Sequence, residues 1–121
     1  MLKKVHPKMN LFVFGFVTFL DELVKLSDCA IIKGGTSTVL EMLAANTPVI
    51  LSTFIHGQEL GNVRFVYENN AGWFIQKPKD ISNKIFKLFS DDEYYSSVKK
   101  QTENLNLNTD CTEFVHRIMA Q

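Results

Sequence analysis

The chain lacks an excess of either charge: thirteen Lys and Arg stand against thirteen Asp and Glu. No net field draws it to nucleic acid or to acidic membranes, and an extended basic groove is not expected. Cysteine is scarce. Cys29 and Cys111 fall in different elements without metal-ligand spacing, and two thiols cannot build a disulfide framework, so a reducing, cytosolic setting is the expectation. Long hydrophobic runs are missing too. The longest, Leu11 to Leu20, contains Gly15 and Thr18 and falls far short of the ~20 residues that span a bilayer. His6, Pro7, Lys8 and Asn10 interrupt what would be the apolar region of a signal peptide. Histidines are few: His6 and His116 belong to no constellation, and His56 reads as a structural loop residue. No set of residues has the spacing of a zinc site or a Ser-His-Asp triad. Internal repeats and low-complexity tracts are absent as well.

What is present suits one small domain of 121 residues, and a hydrophobic fraction of 45% is enough for a core. Asn10 to Phe16 reads as a nearly all-apolar strand. Thr18 is placed to cap a helix whose buried face would be Leu20, Leu23, Val24 and Leu26, ending at Ser27-Asp28. Strands are expected over Cys29 to Ile32, Val49 to Ser52 and Ala71 to Gln76. Helices are expected over Ser37 to Ala45, closed by Asn46 in a left-handed conformation, and from about Gln58 to Glu68, closed by Asn69-Asn70. Asp80 to Phe89 is amphipathic, with Ile81, Ile85, Phe86, Leu88 and Phe89 toward the core. Asp91-Asp92-Glu93 reads as an acidic helix start, and further helices are expected over Asp92 to Thr102 and Thr109 to Ala120. Trp73 with Phe74 at strand spacing reads as packing rather than as a platform for a ligand. Strands alternating with helices predict an α/β fold, an open parallel sheet with helices on both faces and right-handed crossovers.

Ligands of such sheets sit at the carboxyl ends of strands. The turns after Ile32 and Ser52 are both carboxyl ends, and both are polar: Lys33-Gly34-Gly35-Thr36-Ser37-Thr38 and Gly57-Gln58-Glu59-Leu60-Gly61-Asn62. A Gly-Gly turn lets backbone amides approach an anion, and the first turn of a helix leaves N–H groups unpaired at the positive end of the dipole. Glu41 lies one turn beyond Thr38, where a carboxylate could meet a ribose. The plain alternatives are a solvated helix glutamate and an ordinary capped helix start.

From Phe14 to about Pro78 the chain resembles the C-terminal, nucleotide-sugar-binding domain of GT-B glycosyltransferases. The resemblance rests on Gly15-Phe16-Val17, Leu20 with Ser27-Asp28, Lys33 to Thr38, Glu41 with Leu43-Ala44, Pro48, and Gly57 to Asn62. The nearest group joins the muramyl-intermediate N-acetylglucosaminyltransferases with the diacylglycerol galactosyl- and glucosyltransferases. The Gly-Gln-Glu-x-Gly-Asn run is closer to the diacylglycerol branch. The resemblance implies a partial Rossmann-like fold that binds a UDP-sugar as donor substrate, with no cofactor and metal optional. It places the main chain around Val17 on the uracil edge, with Phe16 and Phe19 shaping the pocket. It gives the diphosphate to the amides of Gly35, Thr36 and Ser37 and to the Thr38 hydroxyl. Glu41 would take the ribose hydroxyls, and Gln58, Glu59 and Asn62 the sugar. Lys33 would either offset phosphate charge or point to solvent.

Such a domain normally opens with a strand, a glycine-rich turn and a helix ahead of the Phe14 region, and here only Met1 to Met9 precedes it. The resemblance thus implies a single, incomplete donor-binding domain without its first β-α unit. The N-terminal acceptor domain, expected to supply the catalytic base, is absent as well, so the isolated chain is expected to be inactive and its catalytic residues are unassigned. An open sheet edge and under-covered Leu11, Val13 and Phe14 are further expectations. They point to a homodimer or a complex with an acceptor-domain protein, through which any peripheral membrane contact would be made. A non-catalytic interaction subunit and a truncated fragment are the alternative readings.

Overall fold

The computed structural model describes residues 8–107 and Met119. The expected helix over Thr109 to Ala120 lies outside the described residues, apart from Met119. Within them the elements run α1 (Leu20–Lys25), β1 (Ala30–Lys33), α2 (Thr36–Ala44), β2 (Val49–Thr53), α3 (Leu60–Glu68), β3 (Gly72–Phe74), α4 (Pro78–Ser90) and α5 (Asp92–Asn104). The sheet they form has the order β1-β2-β3, parallel throughout.

The central strand shows why both faces must be covered. Val49, Ile50 and Leu51 are all fully buried, although consecutive strand residues point to opposite faces. Val49 and Leu51 face one layer, where Val24 of α1, Val39, Met42 and Leu43 of α2, and Val66 of α3 form a continuous cluster. Ile50 faces the other side, in register with Ile31 and Trp73. There Ile85 and Phe89 of α4 meet Ile31 across a cleft, and the Lys84 ammonium lies 4.8 Å above the Trp73 ring. α5 contacts both α2 and α4, and the Tyr95 hydroxyl reaches the Asp28 main-chain oxygen at 3.4 Å. The molecule is therefore an open parallel α/β sheet with helices on both faces, the partial Rossmann-like arrangement expected from the strand–helix alternation.

Two helix ends are built alike. Asn46 and Asn70 both adopt left-handed conformations, with φ of 59° and 53°. After each, the amides fold back on the last turn: Thr47 to the Met42 carbonyl at 3.0 Å, Ala71 to the Val66 carbonyl at 3.0 Å. These are Schellman motifs in which asparagine stands where glycine is commoner. Each delivers the chain straight into a strand of the sheet, β2 or β3. Thr47 is itself buried and donates its hydroxyl to the Val24 carbonyl at 3.2 Å, which ties α1 to the β2 entry. Gly72 enters β3 so close to β2 that a Cβ there would overlap the Val49 carbonyl oxygen.

Several expectations are corrected. Residues 10–16 form no strand, because the described sheet has no strand beside them to complete a ladder of hydrogen bonds. Their side chains lie open: Phe12 is 76% exposed and Phe16 99%. Thr18 does not cap α1; the N-cap position falls on Phe19, without a side-chain cap. Of the face assigned to that helix, Val24 is buried but Leu20 and Leu26 are exposed. In α4 Leu88 is fully buried, whereas Phe86 is 77% exposed and Phe89 about half exposed, because one helix face cannot point five apolar residues at the same layer. The acidic start of α5 has a more definite role than charge alone, since the Asp91 carboxylate accepts from the Tyr94 amide at 3.0 Å as a true N-cap. Trp73 is half-buried, with its ring centroid 6.5 Å from that of Tyr94.

Candidate functional site

The carboxyl end of β1 departs from regular pairing. The register shifts between Ile32 and Lys33, and Gly34 N–H donates to the Thr53 carbonyl at 2.8 Å. The two glycines that follow have separate tasks. A Cβ on Gly34 would stand 3.1 Å from the Phe54 Cβ and 3.3 Å from the Thr53 oxygen, so this residue is glycine because β2 lies against it. Gly35 faces open space apart from a Glu59 carboxylate oxygen 3.8 Å from where its Cβ would be. Neither has a positive φ; the turn needs glycine for close approach, not for a left-handed backbone.

Gly35 is the N-cap of α2, extended at φ −67° and ψ 134°. Its carbonyl accepts from Val39 N–H at 2.9 Å, so the amides of Thr36, Ser37 and Thr38 precede the first intrahelical bond, and Gly35 offers no side-chain cap. Three donors thus sit at the positive end of a nine-residue helix, beside the carboxyl end of the sheet. The Thr38 side chain is exposed and makes no hydrogen bond with described residues. Glu41 is also exposed, and its Oε1 accepts from the Ser37 hydroxyl at 2.8 Å. The pairing is with Ser37, four residues back, rather than with Thr38. On its other side Glu41 borders a cleft of about 250 Å³ between α1 and α2, with Leu20, Val24 and Lys25 across it.

The second loop closes from the other side. Ile55 carbonyl accepts from both Gln58 and Glu59 amides, at 3.2 and 2.9 Å, with Gly57 at φ 83° supplying the left-handed corner. This turn delays the helix, which begins at Leu60 rather than near Gln58. Glu59 braces the loop: Oε2 accepts from Ile55 N–H at 2.7 Å, and Oε1 lies 3.7 Å from the Lys33 ammonium. Asn62 reaches across to the first turn, donating to the Gly34 carbonyl at 2.7 Å and to the Thr36 hydroxyl at 2.9 Å. Gln58 is exposed, with no side-chain hydrogen bond among the described residues. The His56 ring leans at 57° against Phe54, centroids 4.6 Å apart, and Phe54 in turn packs edge-on against Phe74.

The structure therefore brings Gly35, Thr36, Glu59 and Asn62 together, with Ser37, Thr38 and Glu41 along one end of α2 and Gln58 at the loop rim. Phe16 stands apart in solvent and Val17 is half-buried; Phe19 packs edge-to-face on Phe14 at 5.8 Å. Two features escaped the sequence reading. Neither the Asn62 link to Gly34 and Thr36 nor the Glu59 brace on Ile55 belongs to a local motif that names its partner. The nearest signal was the polar residue three places after Glu59, in the first turn of α3.

An open parallel sheet with a glycine turn feeding a helix at its carboxyl edge defines the Rossmann-like class. Within that class the family is established by sequence: residues 1–105 match the glycosyl transferases group 1 family, and the chain belongs to it. It is 37% identical over 107 residues to monogalactosyldiacylglycerol synthase 1, chloroplastic, of Arabidopsis thaliana, covering 88% of this chain and 19% of that protein. A probable monogalactosyldiacylglycerol synthase of Glycine max is 39% identical over 93 residues, covering 77% of this chain and 18% of the relative. Processive diacylglycerol beta-glucosyltransferase of Bacillus pumilus (strain SAFR-032) is 32% identical over 120 residues, covering 99% of this chain and 31% of the relative. The chain thus spans about a fifth to a third of the length of these relatives. Among the described residues no helix is long and apolar enough to cross a membrane.

Proposed function

We propose that this chain is the donor-binding part of a glycosyltransferase that moves a hexosyl group from a UDP-sugar to a lipid or lipid-linked acceptor. The carrying observation is the start of α2: three uncapped amides at a helix N-terminus, with the Glu41 carboxylate one turn further on. The amides suit a diphosphate and the carboxylate suits the vicinal hydroxyls of a ribose. Gln58, exposed and without a side-chain hydrogen bond among the described residues, would meet the sugar. The names of the relatives, which are lipid glycosyltransferases, support the lipid acceptor.

The chemistry asked of this half is electrostatic. As the bond between the sugar and the β-phosphate oxygen breaks, negative charge grows on the UDP leaving group. Amides of the first turn, together with the dipole of α2, would stabilise it without reorganising. Lys33 adds positive charge at the same edge, balanced in the free protein by Glu59. The base that deprotonates the acceptor would come from an acceptor domain. Calorimetric titration with UDP tests the reading: binding of UDP in preference to ADP is expected, and no heat with either would refute it.

The exposed stretch at residues 11–16 favours a partner as well. Phe12, Val13 and Phe14 are each more than half exposed, a contiguous apolar surface that a second protein would cover. An acceptor-domain protein or a second copy fits this role and would carry the site to a membrane surface. Light scattering across concentration, alone and with a candidate acceptor domain, checks it; a strictly monomeric profile in every case argues against any partner.

A further inference from the structure

Gly34 and Gly35 present a physical problem. Adjacent glycines leave the peptide plane between them with little steric restraint, so the Gly35 N–H could point in more than one direction. In a trans peptide the carbonyl and the following N–H point in opposite senses, so whatever holds the Gly34 oxygen also aims the Gly35 amide. The group that holds it is Asn62, at 2.7 Å. The same amide nitrogen lies 2.9 Å from the Thr36 hydroxyl, and that hydroxyl lies 3.3 Å from the Asn62 carbonyl oxygen. Both polar ends of Asn62 therefore have protein partners, 26 and 28 positions earlier in the chain. The backbone that carries Asn62 is itself fixed, its amide donating to the Glu59 carbonyl at 3.0 Å in the first turn of α3.

We propose that Asn62 is a positioning residue for the anion-binding turn. It locks the peptide plane between the glycines and so aims the Gly35 amide at the threshold of the helix; it does not itself read a sugar hydroxyl. This rests on the donor-binding function proposed above and changes the part assigned to Asn62 within it. Of the polar residues in the second loop, Gln58 is then the one left to contact the sugar, while Glu59 and Asn62 hold the cradle.

The test compares Asn62→Ala, Asn62→Asp and Thr36→Val by titration with uridine, UDP and UDP-galactose or UDP-glucose, alongside amide spectra of the ligand-free proteins. Asn62→Asp matches the size of asparagine but cannot donate to the Gly34 oxygen, so it serves if the alanine variant fails to fold. Asn62→Ala is expected to weaken UDP about 5- to 10-fold, the loss of roughly one net hydrogen bond, and Asn62→Asp by at least as much because its carboxylate also repels the diphosphate. UDP-sugar should weaken by the same factor and uridine not at all. Thr36→Val keeps the Gly34 bond and should change UDP affinity less than about 2-fold. In the free proteins the Gly35 amide resonance should move or broaden in both Asn62 variants and stay in place in Thr36→Val. A loss confined to UDP-sugar, with UDP unchanged, would overturn the proposal in favour of direct sugar contact. An unmoved Gly35 resonance would overturn it whatever the ligands do. A wild-type chain that ignores UDP refutes the proposed function, while the amide spectra still decide whether Asn62 sets the turn.

Discussion

Replacing Glu41 by alanine separates the two halves of the nucleotide. The Ser37 hydroxyl already donates to Oε1 at 2.8 Å, which leaves lone pairs on Oε2 for the ribose. A hydrogen bond to a charged acceptor contributes about 1.5–3 kcal/mol, and because Glu41 is exposed, water competes and the lower figure applies. Glu41→Ala should therefore raise the Kd for UDP by about tenfold. Inorganic pyrophosphate has no ribose to lose. Its affinity should hold or rise slightly, since two unit charges one helical turn apart in water repel by less than about 1 kcal/mol. Glu41→Gln keeps an acceptor for Ser37 but not the charge, and should fall between wild type and alanine. Isothermal titration of the three proteins with UDP and with sodium pyrophosphate reads these numbers. Equal losses for the two ligands would refute the ribose assignment and turn Glu41 into a residue that merely supports α2.

Other expectations concern the scaffold. Gly72→Ala should destabilise the fold by about 3 kcal/mol or more in urea denaturation, because the new methyl group would overlap the carbonyl oxygen of the fully buried Val49. Burial pushes the Cys29 thiol up to about 11, with the Asp28 charge adding to the effect, so in a Cys111→Ser background alkylation near pH 8 should be slow until urea is added. The folded state holds that thiol proton more tightly than the unfolded chain. Its contribution to stability is thus complete below the ordinary 9.0 and declines as pH rises toward 11, with the raised Tyr95 phenol acting in the same direction. A melting temperature indifferent to pH across that window would contradict the burial of Cys29.

What was legible in the sequence were the elements whose cause is local. β1 and β2 announce themselves as short apolar runs between turn residues, and Asn46 and Asn70 end their helices as their tolerance of positive φ predicts. Residues 10–16 have equally good strand composition and form none, because a strand is completed by a neighbour and the described sheet offers them no place. The helix after β2 starts two residues late because the Ile55 carbonyl captures the Gln58 and Glu59 amides first. At the site, spacing put Ser37, Thr38 and Glu41 on the start of one helix. It could not show that Glu41 would bond Ser37, or that Asn62 would turn inward to Gly34 and Thr36. Those outcomes depend on how two carboxyl-end loops meet, which β1 and β2 fix by their shifted register at Lys33 and Thr53.

The most direct measurement is a UDP titration of the isotopically labelled chain, following each backbone amide. Saturable shifts concentrated at Gly35, Thr36, Ser37 and Thr38, with a second set around Glu41, are the predicted result. Shifts scattered over the surface, or none at millimolar UDP, would contradict the assignment of this helix start to the nucleotide.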